Sequence, residues 1–346
     1  MRTVDLRSDT VTLPSADMWL AMRGAALGDD VLGDASAVSL LEKRIATLLG
    51  KQAALFVPSG TMANQLAIRS HCEAGDEIIA HRDSHIIHYE TGAPAALSGC
   101  MIRMLEGEGG LFDSAALLAA RRHHDIHSPR PSLLIVENTH NRGGGTIWPL
   151  AQFQQVAIAA RELGLRVHID GARLWNACVA ANYTPAEFVH DADSISVCFS
   201  KGLGCPIGSA LVGSAELIQR ARRFRKMFGG GMRQSGLLAG AVDYALDHNM
   251  HRLADDHANA RALARGAVKL PGISLAIDAD HTPTNMVFLH VNATVCTAHA
   301  LADRLATRGV RSLALDPQRL RLVTHLDVAS SDIDFTLDAL RSSIAS

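Results

Sequence analysis

The feature that most constrains the fold is a succession of short apolar segments separated by longer amphipathic ones. Such segments are apolar at successive positions, which is typical of strands buried on both faces of a mostly parallel sheet. Helical patterns at Met62–Cys72 and Leu150–Leu163 lie between some of them. Strand–helix alternation predicts an α/β fold with a large, mostly parallel seven-stranded sheet flanked by helices. The predicted strands are Ala53–Val57, Glu77–Ala80, Met101–Leu105, Leu133–Glu137, Arg166–Ile169, Ile195–Phe199 and Ser209–Val212.

The pattern changes after about Tyr244, where helical periodicity dominates and strands become isolated. A chain of 346 residues is longer than one compact core usually accommodates. We therefore expect a large domain over residues 1–245 and a smaller C-terminal α+β domain over residues 246–346. The predicted C-terminal elements are helices Arg252–Lys269 and Thr297–Thr307 and strands Met286–Val291 and Arg321–Val323.

Composition narrows the function classes. The formal net charge is -2 and 48% of residues are hydrophobic, so we expect neither a nucleic-acid nor a membrane partner. The chain begins MRTVDLRSDTV, which lacks the apolar region of a signal peptide, and no run of 18 apolar residues follows. The six cysteines are scattered without metal-ligand or disulfide spacing, which favours a reducing cytoplasm and no metal site.

Polar residues follow several predicted strands, and ligands of open α/β sheets bind at the carboxyl ends of strands. Ser59-Gly60-Thr61 lies between the strand ALFV and the helix MANQLAIR. Backbone N–H groups and hydroxyls at a helix N-terminus form a phosphate cradle. An ordinary N-capped loop would give the same pattern.

Two charged residues end neighbouring predicted strands. Asp170 follows RVHI, and a carboxylate there can pair with the protonated pyridine nitrogen of pyridoxal 5'-phosphate (PLP). Lys201 follows SISVCFS and precedes a glycine-rich turn, where a desolvated lysine can form a Schiff base. Taken singly, Asp170 could cap the next element and Lys201 could extend along the surface to reach solvent. Together they favour a PLP site.

The sequence as a whole resembles the L-threonine aldolase family, in its low-specificity and L-allo-threonine-preferring branch. This family has the PLP-dependent, aspartate-aminotransferase-like fold (fold type I). The matching blocks, in order along nearly the whole chain, are DLRSDTVTLP, GDDVLGD, FVPSGTMANQ, SHIIHYE, ENTHNRGGG, HIDGARLWNA, SKGLGCPIGS, RKMFGGGMRQSG and RLVTHLDV. The chain departs from many relatives at Leu32 and Asp34-Ala35, which concerns loop details.

The resemblance implies how PLP is held. Lys201 is the Schiff-base lysine, Asp170 faces the pyridine nitrogen, and His85 stacks on the ring. The phosphate is bound by Ser59, Gly60 and Thr61, together with Arg233, which a partner subunit can supply. The family also implies a homotetramer, a dimer of dimers with active sites at the dimer interface.

The resemblance also implies how a small amino-acid substrate is held. Arg173 faces the phenolic oxygen and the substrate carboxylate, and Ser8 and Arg321 complete the carboxylate clamp. His140 lies near the substrate hydroxyl. Further contacts to the substrate, in part across a subunit interface, come from Tyr89 and Lys226.

The implied reaction is aldol cleavage of L-threonine, L-allo-threonine and related β-hydroxy-α-amino acids to glycine and an aldehyde. A base must take the β-hydroxyl proton, and histidine suits that task near neutral pH. His85 and His140 are both candidates. His127, in the run HHDIHSP, could favour the allo isomer or be a solvated loop residue.

Two alternatives stay open at this point. The same lysine and aspartate serve other PLP reactions, such as β-elimination, transamination or racemisation. From another class, the basic run at 220–226 could bind a nucleotide or nucleic acid, although a solvated helix face is the usual reason for such a run. His81, His85 and His88 fall at helical spacing without an accompanying metal-site motif.

Overall fold

The structure is a computed structural model that describes residues 2–122 and 125–345. The strands are β1 (Val4–Asp5), β2 (Ala53–Val57), β3 (Glu77–His81), β4 (Met101–Leu105), β5 (Pro131–Glu137), β6 (Arg166–Gly171), β7 (Ser194–Cys198), β8 (Ser209–Gly213), β9 (Ile273–Leu275), β10 (Met286–Val291), β11 (Val310–Arg311), β12 (Leu313–Ala314) and β13 (Arg319–Val323).

Helices lie between most of these strands. They are α1 (Ala16–Gly24), α2 (Ser36–Leu48), α3 (Gly60–His71), α4 (His85–His88), α5 (Ala93–Ser98), α6 (Ser114–Ala119), α7 (Leu150–Glu162), α8 (Leu174–Ala181), α9 (Pro185–Val189), α10 (Ala215–Met227), α11 (Gly236–His248), α12 (Leu253–Ala267), α13 (Ala298–Thr307) and α14 (Ser330–Ile344).

The seven predicted strands form one sheet in the order β2–β8–β7–β6–β5–β3–β4. All of its neighbouring pairs are parallel except the two that involve β8. The segment between β7 and β8, residues 199–208, is shorter than the dozen residues that a parallel crossover needs, so β8 returns antiparallel. The predicted α/β fold with a mostly parallel seven-stranded sheet is confirmed.

Both faces of this sheet are buried, which explains why its strands are apolar at successive positions. On β5, Leu134 and Val136 pack in one core cluster, whereas Leu133 and Ile135 pack in another on the opposite face. Each such side chain stabilises the fold by about 1.5–3 kcal/mol when it is removed from water. The first cluster includes residues of α2, α7, α8 and α11, and α3 covers the other face.

The C-terminal part has its own core around a four-stranded antiparallel sheet, ordered β12–β13–β10–β9. Helices α12 and α13 pack against this sheet, and α14 packs against both helices. The N-terminus joins this part, because β1 pairs with β11 and Val4 and Leu6 are buried in the same cluster. The predicted boundary at residues 245 and 246 stays a prediction.

Candidate active site

The carboxyl ends of the parallel strands bring most of the predicted residues to one edge of the large sheet. Strands β6 and β7 are parallel neighbours, and Asp170 ends one while Lys201 follows the other. His140 follows β5 and His85 follows β3, which are the next strands along the same sheet. The N-terminus of α3 lies at this edge as well, because a Cβ built on Gly60 would lie 2.6 Å from the Cys198 Sγ at the end of β7.

Lys201 lies in the turn after β7. Its Nζ is 3.9 Å from Cys198 Sγ, and its carbonyl accepts hydrogen bonds from Gly204 N at 2.8 Å and Thr12 Oγ1 at 3.1 Å. Gly204 has a φ of +76°, a conformation that favours glycine, and so allows the turn to close under the lysine. The N-terminal segment therefore packs directly against the turn that presents the amine.

Asp170 is 2% exposed, and its carboxylate is fixed by two donors. Asn64 Nδ2 donates to Oδ2 at 2.8 Å, and the backbone N–H of Ala172 donates to Oδ1 at 3.1 Å. These two hydrogen bonds fix the orientation of the Asp170 carboxyl group, as the partner of a pyridine nitrogen requires.

The predicted phosphate cradle lies at the N-terminus of α3. Ser59 is the N-cap and its Oγ accepts from Met62 N at 3.2 Å. The N–H groups of Gly60 and Thr61 belong to the first helical turn, so they have no intrahelical acceptor and can bind an anion. Gly60 has no Cβ, which lets the backbone lie against Cys198.

His85 is held from two sides. Its backbone N–H donates to Glu137 Oε2 at 2.7 Å, and its Nδ1 lies 2.9 Å from Glu90 Oε1. Burial alone would lower the pKa of His85, but the hydrogen bond to Glu90 and the charges of Asp170 and Glu90 raise it overall. Because Glu90 accepts from Nδ1, the Nε2 atom is left to face the site.

His140 is fully buried and has the opposite tautomer. The backbone N–H of Gly143 donates to its Nδ1 at 3.0 Å, so Nε2 carries the proton. This Nε2 has no hydrogen-bond partner among the described residues and lies 3.9 Å from Glu137 Oε2. His140 is therefore a donor in this state. Gly110, with a φ of +89°, leaves room for the imidazole ring, which a Cβ there would strike.

The predicted carboxylate clamp is built from three different elements. Arg173 donates from Nε and Nη2 to Asp9, with distances of 2.8 and 2.7 Å. Arg321, on β13, donates to Asn141 Oδ1 at 3.2 Å and to the Arg7 carbonyl at 3.0 Å. Burial and the neighbouring Arg173 guanidinium lower the pKa of Arg321, which indicates that two cations lie close together. Paired cations of this kind suit an anionic ligand.

Ser8 and Asp9 belong to the N-terminal segment beside this clamp. Ser8 Oγ lies 3.5 Å from Asp9 Oδ1 and accepts from Thr10. Burial alone would raise the pKa of Asp9, but Arg173, and then Lys201, lower it strongly. Asp9 is therefore the ionised partner that orients Arg173, so two of the donors of Arg173 are already engaged.

Four predicted residues are exposed at the surface, unlike the buried residues of this cluster. His127 is exposed in the loop before β5, where its N–H donates to Asp125. Tyr89 is half-exposed, with its ring 5.3 Å from that of His85 and its hydroxyl 3.4 Å from Arg142. Lys226 and Arg233 are exposed, and Arg233 pairs with Asp29 at 2.8 Å.

The basic run in α10 is largely neutralised within the chain. Arg225 is buried and lies 2.6 Å from Asp30, and Arg222 lies 2.6 Å from Glu42. These cations hold α10 against α2 and the loop before it, which weakens the nucleic-acid alternative.

Sequence reasoning missed the buried polar residues that hold the predicted ones. Most of them act on a partner far along the chain, although Glu90 is only five residues from His85. Only their place inside otherwise matching blocks could have pointed to them. They are Asp9, Asn64, Glu90, Glu137 and Asn141.

The residues present fit PLP on two further observations. Buried polar atoms without a partner among the described residues surround the site: Ser84 Oγ, Thr139 Oγ1, His140 Nε2 and Arg321 Nε. Such atoms cost free energy unless a ligand or water binds them. An amine, a buried aspartate, an imidazole and a helix N-terminus also meet here, which matches the aldehyde, ring and phosphate of PLP.

Comparison with known proteins agrees with this arrangement. The sequence matches the family described as β-eliminating lyase over residues 5–293. It is 42% identical over 333 residues to the low specificity L-threonine aldolase of Escherichia coli strain K12, covering 95% of this chain and 96% of that one. The Leishmania major threonine aldolase structure has a TM-score of 0.82 at 22% identity, covering 98% of this chain and 99% of the other.

The fold is shared more widely among enzymes that use PLP. A structure of SPT with PLP has a TM-score of 0.75 at 18% identity, covering 99% of this chain and 87% of that one. Fold and site thus define a fold-type-I PLP enzyme. The chain belongs to the β-eliminating lyase family, as a member of its L-threonine aldolase group.

Proposed function

We propose that this chain uses PLP to cleave L-threonine, L-allo-threonine and related β-hydroxy-α-amino acids to glycine and an aldehyde. The observation that carries the proposal is the placement of Lys201 and Asp170 at the ends of neighbouring parallel strands, beside the two-arginine clamp. The name of the E. coli relative supports the same substrate class.

The cofactor would be held by residues of four elements. Lys201 would bind its aldehyde carbon, Asp170 would pair with its ring nitrogen, and His85 would stack on the ring. The start of α3, where Ser59, Gly60 and Thr61 lie, would bind its phosphate. When bound, PLP supplies an electron-withdrawing ring that accepts the electrons of the breaking Cα–Cβ bond.

The chain's own part is first to orient the substrate. Arg321 and the free donors of Arg173 bind the substrate carboxylate, and Ser8 adds a hydroxyl from the N-terminal segment. Bidentate guanidinium–carboxylate geometry fixes the direction of the bonds around Cα. This orientation decides which bond breaks, and so selects aldol cleavage over racemisation.

The second task is to remove the β-hydroxyl proton, and the two histidines differ in this respect. His85 donates from Nδ1 to Glu90 and so has a lone pair at Nε2, with its basicity increased by that carboxylate. His140 carries its proton at Nε2 and can only donate. We assign the base to His85 and a hydrogen-bond donor role toward the substrate oxygen to His140. A positioned base contributes roughly 10²–10⁴ in rate.

Assembly of the site in a homo-oligomer is part of the proposal. Large apolar side chains within residues 13–32 are exposed, and a patch of this kind favours a protein interface. They are Leu13, Trp19, Leu20, Leu27 and Leu32.

A second copy seated on this patch would bring Lys226 and Arg233 to the site of its partner. A homotetramer, built as a dimer of dimers, is the proposed state.

Across residues 2–122 and 125–345, no helix combines the length and apolarity that a membrane crossing requires. The cytoplasmic location remains a prediction.

The activity is tested by incubating the protein with each threonine diastereomer, with and without PLP, and measuring glycine and acetaldehyde. Equimolar release that requires PLP is expected, with the allo isomer preferred if His127 contributes to selectivity. Formation of a keto acid from L-serine without aldehyde release would instead indicate β-elimination.

A further inference from the structure

A buried amide joins two carboxylates behind the site. Asn64 is 1% exposed in α3, and its Nδ2 donates to Asp170 Oδ2 and to Glu90 Oε1, both at 2.8 Å. Asp170 and Glu90 are each 2% exposed, and their oxygens lie within 4.8 Å of each other and of His85. Two acidic groups this close and this buried need hydrogen-bond donors to hold them side by side, and Asn64 Nδ2 donates to both.

The orientation of this amide is fixed by its other end. Asn64 Oδ1 accepts from Ser196 Oγ at 2.7 Å and lies 3.2 Å from His168 Nε2. The reverse orientation would set the amide oxygen against both carboxylates and the NH₂ against a hydroxyl. Only one orientation therefore satisfies every partner.

A series of hydrogen bonds continues from His168 toward the amino ends of the strands. Ser194 Oγ lies 2.8 Å from His168 Nδ1 and 2.8 Å from His71 Nε2. Because His168 donates from Nε2, its Nδ1 accepts from the Ser194 hydroxyl, whose oxygen accepts from His71. Every donor in the chain points toward the carboxylates, and hydrogen bonds aligned in this way strengthen one another.

His168 and His71, the two histidines in this series of hydrogen bonds, are both neutral at pH 7. Burial lowers the pKa of His168 to about 3 and that of His71 to about 4. This series of hydrogen bonds therefore presents oriented dipoles, and no positive charge, to Asn64.

We propose that Asn64 is a positioning residue that holds the Asp170 and Glu90 carboxyl groups side by side, one for the ring nitrogen of PLP and the other for His85. The inference rests on the proposed function, because it takes PLP as the partner of Asp170. Through Asn64, Asp170, which would bind the ring nitrogen of PLP, is linked to Glu90, which increases the basicity of His85.

The test uses PLP labelled with ¹⁵N at the ring nitrogen, bound to the holoenzyme and followed by NMR. Wild type is expected to give the pyridinium signal. Asn64→Leu, which has a similar volume but no donor, is expected to move that signal toward neutral pyridine. It is also expected to weaken PLP binding roughly tenfold to a hundredfold, the effect of losing a hydrogen bond to a charged group.

A matched control is provided by the adjacent residue. Gln65 is also buried, and its Nε2 donates to Glu90 Oε2 at 2.5 Å, but its contact is with Glu90 and not with Asp170. Gln65→Leu is expected to keep the pyridinium signal. An unchanged signal and PLP affinity within twofold of wild type in Asn64→Leu would overturn the inference, and so would equal loss of the signal in both variants.

Asn64→Ser gives the same comparison if Asn64→Leu does not fold, because serine is too short to bridge both carboxylates. The wild-type protein distinguishes failure of the proposed function from failure of the role assigned to Asn64. If wild type does not bind PLP, the proposed function fails. If wild type binds PLP as a pyridinium and the Asn64 variants do the same, only the role of Asn64 fails.

Discussion

Among single residues, the contrast between His85 and His140 is the most informative. Both follow strands of the same sheet, and both were candidates for the base on sequence grounds. Their partners separate them, because Glu90 accepts from Nδ1 of His85 whereas Gly143 donates to Nδ1 of His140. A lone pair is therefore available at Nε2 in one ring and a proton in the other.

The basicity of His85 gives a prediction for the pH profile. Its pKa is raised above the ordinary value of 6.5, and the base must be neutral. Activity is therefore expected to increase as pH rises through a value above 6.5. Glu90→Gln removes the charge that favours the imidazolium, so the acid limb of kcat/KM should move to lower pH. Steady-state profiles of both proteins measure this shift.

His140→Asn is the comparison for that experiment. It removes a hydrogen-bond donor and not the base, so it should lower kcat and leave the acid limb in place. An acid limb that follows His140 and ignores Glu90 would reverse the assignment.

Residues that act through the main chain or at a strand end could be predicted, whereas those that act through a buried partner could not. Lys201 and Asp170 stand out because charge follows an apolar strand. Asn64 and Asp9 lie among residues of mixed polarity, and their partners are 106 and 164 positions away. No local pattern encodes a contact of that length.

At the level of elements, the start of α3 is a tightly packed point of the site. Gly60 lies against the end of β7, where a Cβ would be 2.6 Å from Cys198 Sγ. Gly60→Ala is expected to push the helix N-terminus away from the strand and weaken PLP binding about tenfold, which corresponds to about 1.4 kcal/mol. Equilibrium titration of the apoenzyme with PLP measures the change.

Two further variants show whether the clash is the cause. Gly24→Ala, at the end of α1, places its Cβ in open space and should bind PLP like wild type. Adding Cys198→Ala to Gly60→Ala removes the sulfur and should restore part of the affinity. Equal loss in the Gly24 variant, or no recovery in the double variant, would exclude this explanation.

The elements of the large sheet were predictable because burial on both faces leaves a strong signal in short strands. Predicted and observed strands agree to within two residues at each end, and Ala53–Val57 and Met101–Leu105 agree fully. The antiparallel direction of β8 was not predicted, because direction depends on the length of the connection and not on the strand itself. The same ten-residue connection positions Lys201.

For the whole molecule, the exposed apolar face of the N-terminal segment leads to a prediction about assembly. Trp19 is 51% exposed on α1. Trp19→Glu is expected to dissociate the oligomer, since a charge in a buried interface is costly, and to lower kcat/KM by at least about tenfold. Light scattering gives the mass.

Ile158→Glu on α7 is the control, because Ile158 is 52% exposed outside this face and should tolerate the charge. A wild-type protein that is monomeric and fully active would contradict the shared-site proposal. So would an unchanged mass for the Trp19 variant.

The N-terminal segment also shows what sequence could not reveal at this scale. Residues 4–6 pack into the C-terminal core, residues 8–12 contact the Lys201 turn and the Arg173 clamp, and α1 packs on α11. The predicted boundary divides the chain into residues 1–245 and 246–346, whereas the first strand, near the N-terminus, pairs with Val310–Arg311 beyond that boundary. Such pairing depends on long-range contacts that leave no local periodicity.

The central claim is that Lys201 and PLP together perform aldol cleavage. The most direct measurement is acetaldehyde release from L-threonine and L-allo-threonine by wild type and Lys201→Ala, with the visible absorbance of bound PLP recorded in the same samples. The account predicts a visible band and equimolar glycine and acetaldehyde for wild type, and loss of both for Lys201→Ala. Aldehyde release without PLP, or a Lys201→Ala protein that keeps the band and the activity, would contradict it.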